Sequence, residues 1–396
     1  MNNNTPLPRW LWVIAQLGGV VLILLGLTSI LFPFFAPTAF AAAGVVAVGY
    51  GMIAAVLGIS LLASGTRGQK QRQPKLFYSR WGWIGFLLAS IAVAVAGLLL
   101  PAEMQLRPIF APFHFLLIVL PGLLLLALVS LAAGKGAALS LRQTSLALAG
   151  GASSIFLALP VEIVGLLISG VVGVGLSLGF PGGPEEVQRL LALLEQWTAR
   201  PPTDEMEILG VLASPVVLII LALTLGVVTP LIEEFGKTLV MGLVGFWIQP
   251  SLTASFVWGA ACGMGFAWLE GVSNGALGLG GAGAWLGSAG VRFFATAMHA
   301  VTSGVVGLGW ARFWRGHRWG LLIAYGVAAV FHGLWNLNVI LTLGGVGLML
   351  RSPRGGGLVV IGGVVMQFLL VIVALSALVG IPLLLRQRNK NVQTQA

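Results

Sequence analysis

The chain is short of charge, of cysteine and of aspartate, and each shortage removes a class of protein. Charged residues make up 8% of its 396 positions, against 58% hydrophobic ones, whereas a soluble globular domain carries roughly 25% charged residues. A water-soluble enzyme is therefore excluded. The formal net charge of +10 does not point to nucleic acid, because the basic residues sit in short connections between apolar runs, where they set membrane orientation. One cysteine, Cys262, rules out an intrachain disulfide and a multi-cysteine metal site; it reads as a small apolar helix residue. One aspartate, Asp204, lies in a polar stretch and rules out an aspartyl catalytic dyad. No His-Glu-x-x-His motif is present, which removes the usual zincin arrangement. The stretches Gly58-Ile-Ser60 and Gly175-Leu-Ser177 are too generic to mark a serine nucleophile.

What the chain has instead is long apolar runs. Runs of about 20 such residues mark helices able to cross a bilayer. They fall near 11–32, 40–64, 81–100, 109–133, 144–178, 209–229, 231–248, 252–277, 284–312, 319–345 and 357–385. None alternates polar and apolar as a membrane strand does, and only helices satisfy their own backbone in lipid. The fold class is all-α: a polytopic membrane helix bundle of about ten or eleven transmembrane helices. The run after Arg9 is too long for a cleaved signal segment and lacks a small-residue exit, so it reads as a retained helix.

Composition divides the chain into three. Residues 1–180 read as accessory transmembrane helices with almost no intramembrane charge. Residues 181–208 form a soluble linker, and 209–396 a polar core with a C-terminal helix. In the linker, Pro184 followed by acidic residues suits a helix start. Val187, Leu190, Leu191, Leu194 and Trp197 then recur on one helical face, as in a helix lying in the membrane interface.

Basic connections orient the bundle. Arg67, Lys70, Arg72, Lys75 and Arg80 form one cluster; Arg312, Arg315 and Arg318 form another; Arg386, Arg388 and Lys390 place the C-terminus in the cytoplasm. Arg351 and Arg354 fall on the opposite side. Counting crossings forward and backward gives conflicting sides for 181–207. Either 144–178 breaks at Pro160 into two elements, or 209–248 is one crossing interrupted at Pro230.

Against this apolar background a few polar residues stand out. A charge near the bilayer centre costs about 2.5–3.5 kcal/mol, yet Glu233, Glu234 and Lys237 occur within five residues. Antiparallel threading brings Glu270, His299 and His332 to a similar depth, in the extracytoplasmic half. Glu233 and Lys237, like His332 and Asn336, share helix faces at i,i+4, and Arg292 lies two turns before His299. His114 reads as a hydrogen-bonded packing residue, His317 as a loop residue, and Glu162 as a structural hydrogen bond. A polar lock between helices needs one pair, not three carboxylates and two imidazoles. Buried acids and imidazoles also build proton relays in transporters, but the first half has no counterpart to 233–237. A non-catalytic immunity or scaffold protein is a further alternative.

Four segments carry a family resemblance. Glu-Glu-Phe-Gly-Lys (233–237), Phe266-x-x-x-Glu270, Met298-His-Ala-Val-Thr-Ser-Gly-Val-Val-Gly307 and His332-x-x-x-Asn336 resemble the motifs of the PrsW family of intramembrane proteases. That family is similar in plan to the CAAX-processing and bacteriocin-immunity membrane proteases. The resemblance covers about residues 225–345. It implies an endopeptidase in a prokaryotic plasma membrane that cuts another membrane protein, such as a single-pass anti-sigma factor. The family often has Asn after the motif glutamate; here it is Gly271, with Asn274 one turn on.

Peptide hydrolysis needs an activated water, oxyanion donors and an acid for the leaving amine. Adjacent carboxylates in a low dielectric do not both ionise readily, which separates a base from an acid within Glu233 and Glu234. His299 and His332 then bind or protonate the amide, Asn336 orients His332 or donates to the oxyanion, and Lys237 and Arg292 balance charge. This reading favours no cofactor. The alternative is Zn2+ held by Glu270, His299 and His332. The partners implied are a membrane-protein substrate and the lipid bilayer, without nucleic acid; nothing fixes the oligomeric state.

Overall fold

The computed structural model describes residues 9–35, 41–66, 79–200, 205–349 and 352–395. Arg67, Lys70, Arg72, Lys75, Asp204 and Arg351 lie outside the described residues. In chain order the main helices are α1 (Arg9–Phe35), α2 (Ala41–Thr66), α3 (Arg80–Leu98), α4 (Ala111–Ala133), α5 (Leu141–Ser153), α6 (Ile155–Ser177) and α7 (Gly183–Ala199). They continue with α8 (Pro215–Leu223), α9 (Thr229–Ile248), α10 (Leu252–Gly275), α11 (Ala282–Phe313), α12 (Arg318–Met349) and α13 (Pro353–Gln395). No strand occurs among the described residues, and ten helical segments there are long and apolar enough to cross a membrane. Large apolar side chains such as Leu167 and Val171 on α6, and Leu358 and Phe368 on α13, are more than half exposed. A surface of this kind suits lipid, not water.

The count of ten rests on how 209–248 folds. Pro215–Ile248 is one apolar segment in which a π-helical turn, Thr224–Val228, joins α8 to α9. Pro230 stands in the first turn of α9; in the register of the π turn, where the Thr229 amide bonds the Thr224 carbonyl, its missing N–H leaves the Leu225 carbonyl for a partner outside the helix. The 144–178 run divides at Ser154, between α5 and α6, and not at Pro160, which lies inside α6.

The described residues form two compact units that interleave along the chain. One comprises 1–155, 235–326 and 374–396. Its centre is α10, which starts at an N-cap where Ser251 accepts from the Ala254 amide and is buried along almost its whole length. Glycines let its neighbours approach closely. A Cβ on Gly151 of α5 would meet the Cys262 carbonyl oxygen, and one on Gly263 of α10 would sit 2.1 Å from the His299 carbonyl oxygen. Cys262 is thus the buried packing residue expected. His114 also has the expected packing role: Nε2 donates to the Val272 carbonyl at 2.9 Å, and Nδ1 accepts from the Trp285 indole at 3.3 Å.

The other unit comprises 156–234 and 327–373. Here α6 packs on α8 and the π turn through Gly173 against Ile220 and Gly165 against Val228. The expected amphipathic helix is α7; Val187, Leu190, Leu191, Leu194 and Trp197 all line one apolar hollow. On its polar face Glu186 pairs with Arg189 at 2.6 Å, and this partner raises the Arg189 pKa further. The Trp197 indole donates to Glu207 at 2.6 Å, tying the end of α7 to the short helix Glu205–Leu212 that precedes α8. Asn338 on α12 donates to Gln367 and to the Gly363 carbonyl of α13, at 2.8 and 3.0 Å.

Candidate active site

Within the second unit the acidic pair meets an imidazole. Glu233 and Glu234 stand in the second turn of α9, and both are buried. His332, near the middle of the 32-residue α12, is also buried. Its Nδ1 lies 2.9 Å from Glu234 Oε1, and its Nε2 lies 3.8 Å from Glu233 Oε2. An ionised carboxylate only accepts, so with Glu234 ionised Nδ1 donates to it, while Nε2 and Glu233 approach at ion-pair distance without a hydrogen bond. Two carboxylates thus flank one imidazole, one at each ring nitrogen.

Backbone geometry delivers that meeting. A Cβ on Gly333 would lie 2.3 Å from the Gly226 carbonyl oxygen, so α12 rests directly on the π turn beside His332. Asn336, one turn on, donates to the Leu225 carbonyl at 2.9 Å. The expectation that Asn336 orients His332 gives way here: Glu234 holds the ring, and Asn336 holds the turn from which α9 starts. The role of Leu225 is invisible in sequence because its backbone oxygen, not its side chain, takes part.

The first unit carries a linear relay. Lys237, fully buried on α9, places Nζ 2.8 Å from His299 Nδ1 and 4.5 Å from the centre of the Phe266 ring. An ammonium only donates, so Nδ1 of His299 accepts and the ring proton sits on Nε2, which donates to Glu270 Oε2 at 2.7 Å. The same oxygen lies 2.7 Å from Arg292 Nη2, and Glu270 Oε1 accepts from Asn274 at 3.0 Å. The order is Arg292, Glu270, His299, Lys237.

Lys237, expected to help balance charge, has its ammonium against His299 and the Phe266 face, where cation–π attraction offsets lost hydration. The asparagine missing at Gly271 has no room, since a Cβ there would meet the Ile118 side chain at 2.7 Å. Asn274 supplies an amide to Glu270 from one turn away. Of the other polar residues, His317 is an exposed loop residue, and Glu162 lies half-buried on the α6 stripe that includes Ala158, Gly165, Ser169 and Gly173.

Apolar helical spans with buried carboxylate–imidazole pairs define an integral membrane protein whose polar centre is built for proton transfer or ligation. Residues 207–382 match the model of a family described as PrsW family intramembrane metalloprotease, the family that the four motifs resemble. No curated protein and no solved structure matches the chain. The description of that family as metalloproteases favours a metal over the metal-free reading.

Proposed function

We propose that the chain is an intramembrane endopeptidase that hydrolyses a peptide bond of a membrane-protein substrate, a single-pass regulator being the expected kind. The observation that carries this reading is His332 held at Nδ1 by Glu234 with Nε2 facing Glu233, within a segment that matches a protease family. The acidic pair takes a proton from the attacking water and returns it to the leaving amine. His299 and His332 position the amide and the water, and Lys237, Glu270 and Asn336 hold this machinery in place.

The residues also suit zinc. A carboxylate behind one ring nitrogen, leaving the other as donor, is the usual setting of a metal-binding histidine; Glu234 gives it to His332 and Glu270 gives it to His299. In the second unit, buried Glu233 and His332 would each give an ion one ligand atom. In the first, Glu270, proposed as a ligand from sequence, is engaged by Arg292, Asn274 and His299, so we place it behind His299. Bound zinc would supply Lewis-acid polarisation of the scissile carbonyl.

With ten crossings, a topology that has the 67–80 connection, the Arg312–Arg318 turn and the 386–390 tail on one side is self-consistent, and we take that side as cytoplasmic. Glu270, late in α10, and Arg292, early in α11, then lie towards the extracytoplasmic face. We keep residues 1–180 as accessory and 209–396 as the hydrolytic segment.

The test is to co-express single-pass candidates with Glu233→Gln, Glu234→Gln and His332→Ala. Each variant is expected to lose about 10²-fold or more in cleavage, and His332→Ala to lose zinc from the purified protein. Undiminished cleavage in both Gln variants would end the peptidase reading, and unchanged zinc content would end the metal assignment. Proton-driven uptake abolished by the Gln variants would instead make the protein a transporter.

A further inference from the structure

The first unit holds an apolar hollow that peptide hydrolysis does not use. Leu57 of α2, Val119 of α4, Leu148 of α5 and Trp268 of α10 wall it, and its volume is about 180 Å³. It opens towards lipid at Val56, which lines it and is half exposed. A comparably apolar cavity of about 150 Å³ stays dry and accepts an apolar guest. The lining extends from Leu141 to Leu148 on α5 and from Ile53 to Ser60 on α2, about 10 Å along each helix. A space of that length and volume, open to the bilayer, suits one acyl chain.

Polar groups gather at one end of the hollow. Ser60 and Ser145 both line it, and their hydroxyls lie 2.5 Å apart. Such a pair uses one hydrogen between its members and keeps the other to donate. One turn further, Arg142 Nε donates to the Ser64 carbonyl at 2.7 Å, and the guanidinium lies over Trp12, 4.6 Å from the ring centre. Lys135 and Arg386 stand at the same end of α4: Arg386 Nε would lie 2.9 Å from a Cβ on Gly134. Glu103 is the one acidic residue among residues 1–161, and it precedes α4, at the other end of that helix.

We propose that this hollow binds one anionic phospholipid. An acyl chain fills it, an ester carbonyl accepts from the Ser60–Ser145 pair, and the phosphate lies at Arg142, with Lys135 adding positive charge. The glycerol unit between ester and phosphate has a reach close to the single turn that separates Ser145 from Arg142. Charge complementarity selects the headgroup, because basic side chains at a membrane surface favour anionic lipid. The chain also rests on Trp268, two residues before Glu270, so the accessory helices support α10 through bound lipid. This site stands whether or not the protein cuts peptides.

The experiment titrates full-length, delipidated protein in detergent with phosphatidylglycerol, with phosphatidylcholine of the same chains, and with glycerol 3-phosphate. Native mass spectrometry counts retained lipid, and thermal unfolding reads stabilisation. Phosphatidylglycerol is expected to stay bound at one molecule per chain and to raise the melting temperature by about 2–5 °C. Phosphatidylcholine should do so more weakly, and glycerol 3-phosphate not at all. Val56→Trp, which blocks the opening from an exposed position, should abolish both effects. Arg142→Gln should weaken phosphatidylglycerol binding about fivefold. If that variant does not fold, Ser145→Ala decides, with about fivefold weaker binding of both lipids. Equal responses to the two lipids in the wild type would overturn the proposal. So would undiminished binding in Val56→Trp or in the polar variant used, and so would a full response to glycerol 3-phosphate, which makes the site one for a soluble phosphate.

Discussion

Gly263→Ala is the most direct test of how packing holds the site. The added Cβ would fall 2.1 Å from the His299 carbonyl oxygen, 2.7 Å from its carbon and 2.9 Å from Ser303 Oγ. Ordinary carbon–oxygen contact begins at about 3.3 Å, so α10 and α11 must part by roughly 1 Å. Two of the three blocking atoms are backbone, and neither can swing away. His299 sits at that contact, with bonds of 2.7 Å to Glu270 and 2.8 Å to Lys237. The bond to Glu270 spans α10 and α11, and an extension of roughly 1 Å takes it beyond hydrogen-bonding range. The expected stability loss is about 1–3 kcal/mol, as for overpacking a core, and cleavage should fall by about 10²-fold, the cost of a misplacement near 1 Å. Gly287→Ala is the control: it lies in the same helix pair with nothing within 4 Å of its Cβ, and it should be neutral or stabilising by about 0.5–1 kcal/mol. Thermal unfolding in detergent and cleavage of one substrate read both variants. If Gly263→Ala melts and cuts like Gly287→Ala, the close approach of α10 to α11 is not what positions His299.

Two further outcomes follow from the same geometry. Asn336→Ala should cost about 1 kcal/mol in unfolding free energy through the lost bond to Leu225 and should lower cleavage more than that implies, because the π turn aims the acidic pair. Gly271→Asn, which restores the residue usual in the family, should lower the melting temperature and activity together, since Ile118 lies 2.7 Å from the new Cβ. Unchanged melting and raised activity would show that Asn274 is a poor substitute.

The helical membrane fold was legible because lipid permits few alternatives, and the polar residues were legible because charge in lipid is expensive. Glu233, Glu234, Glu270, His299 and His332 therefore stood out by depth alone. Their partners did not. Spacing put Lys237 on one face with Glu233 at i,i+4, and gave no sign that its long side chain also reaches another helix, where His299 offers an acceptor and Phe266 a π face. Asn336 was misjudged for a related reason: its partner is a carbonyl exposed by a π turn, and π turns leave no mark in an apolar run. The same turn left the count open between ten and eleven, since Pro230 signals a helix start whether a loop or a tighter junction precedes it; ten spans are found, with Pro215–Ile248 as one. The close contacts of Gly151 and Gly263 were hidden among 56 glycines, most of which sequence alone gives no reason to prefer.

The π turn at Thr224–Val228 also creates an acceptor. A π turn closes on i→i+5 hydrogen bonds and so takes up one more residue than an α turn, which leaves α9 in nearly the phase it would have without that residue. What the extra residue changes is the backbone: the Thr229 amide bonds the Thr224 carbonyl, the Leu225 carbonyl falls opposite Pro230, which has no N–H, and the Asn336 amide takes it instead. Removing one residue between 224 and 228 would restore regular winding and withdraw that acceptor while Glu233, Glu234 and Lys237 kept nearly the same azimuth.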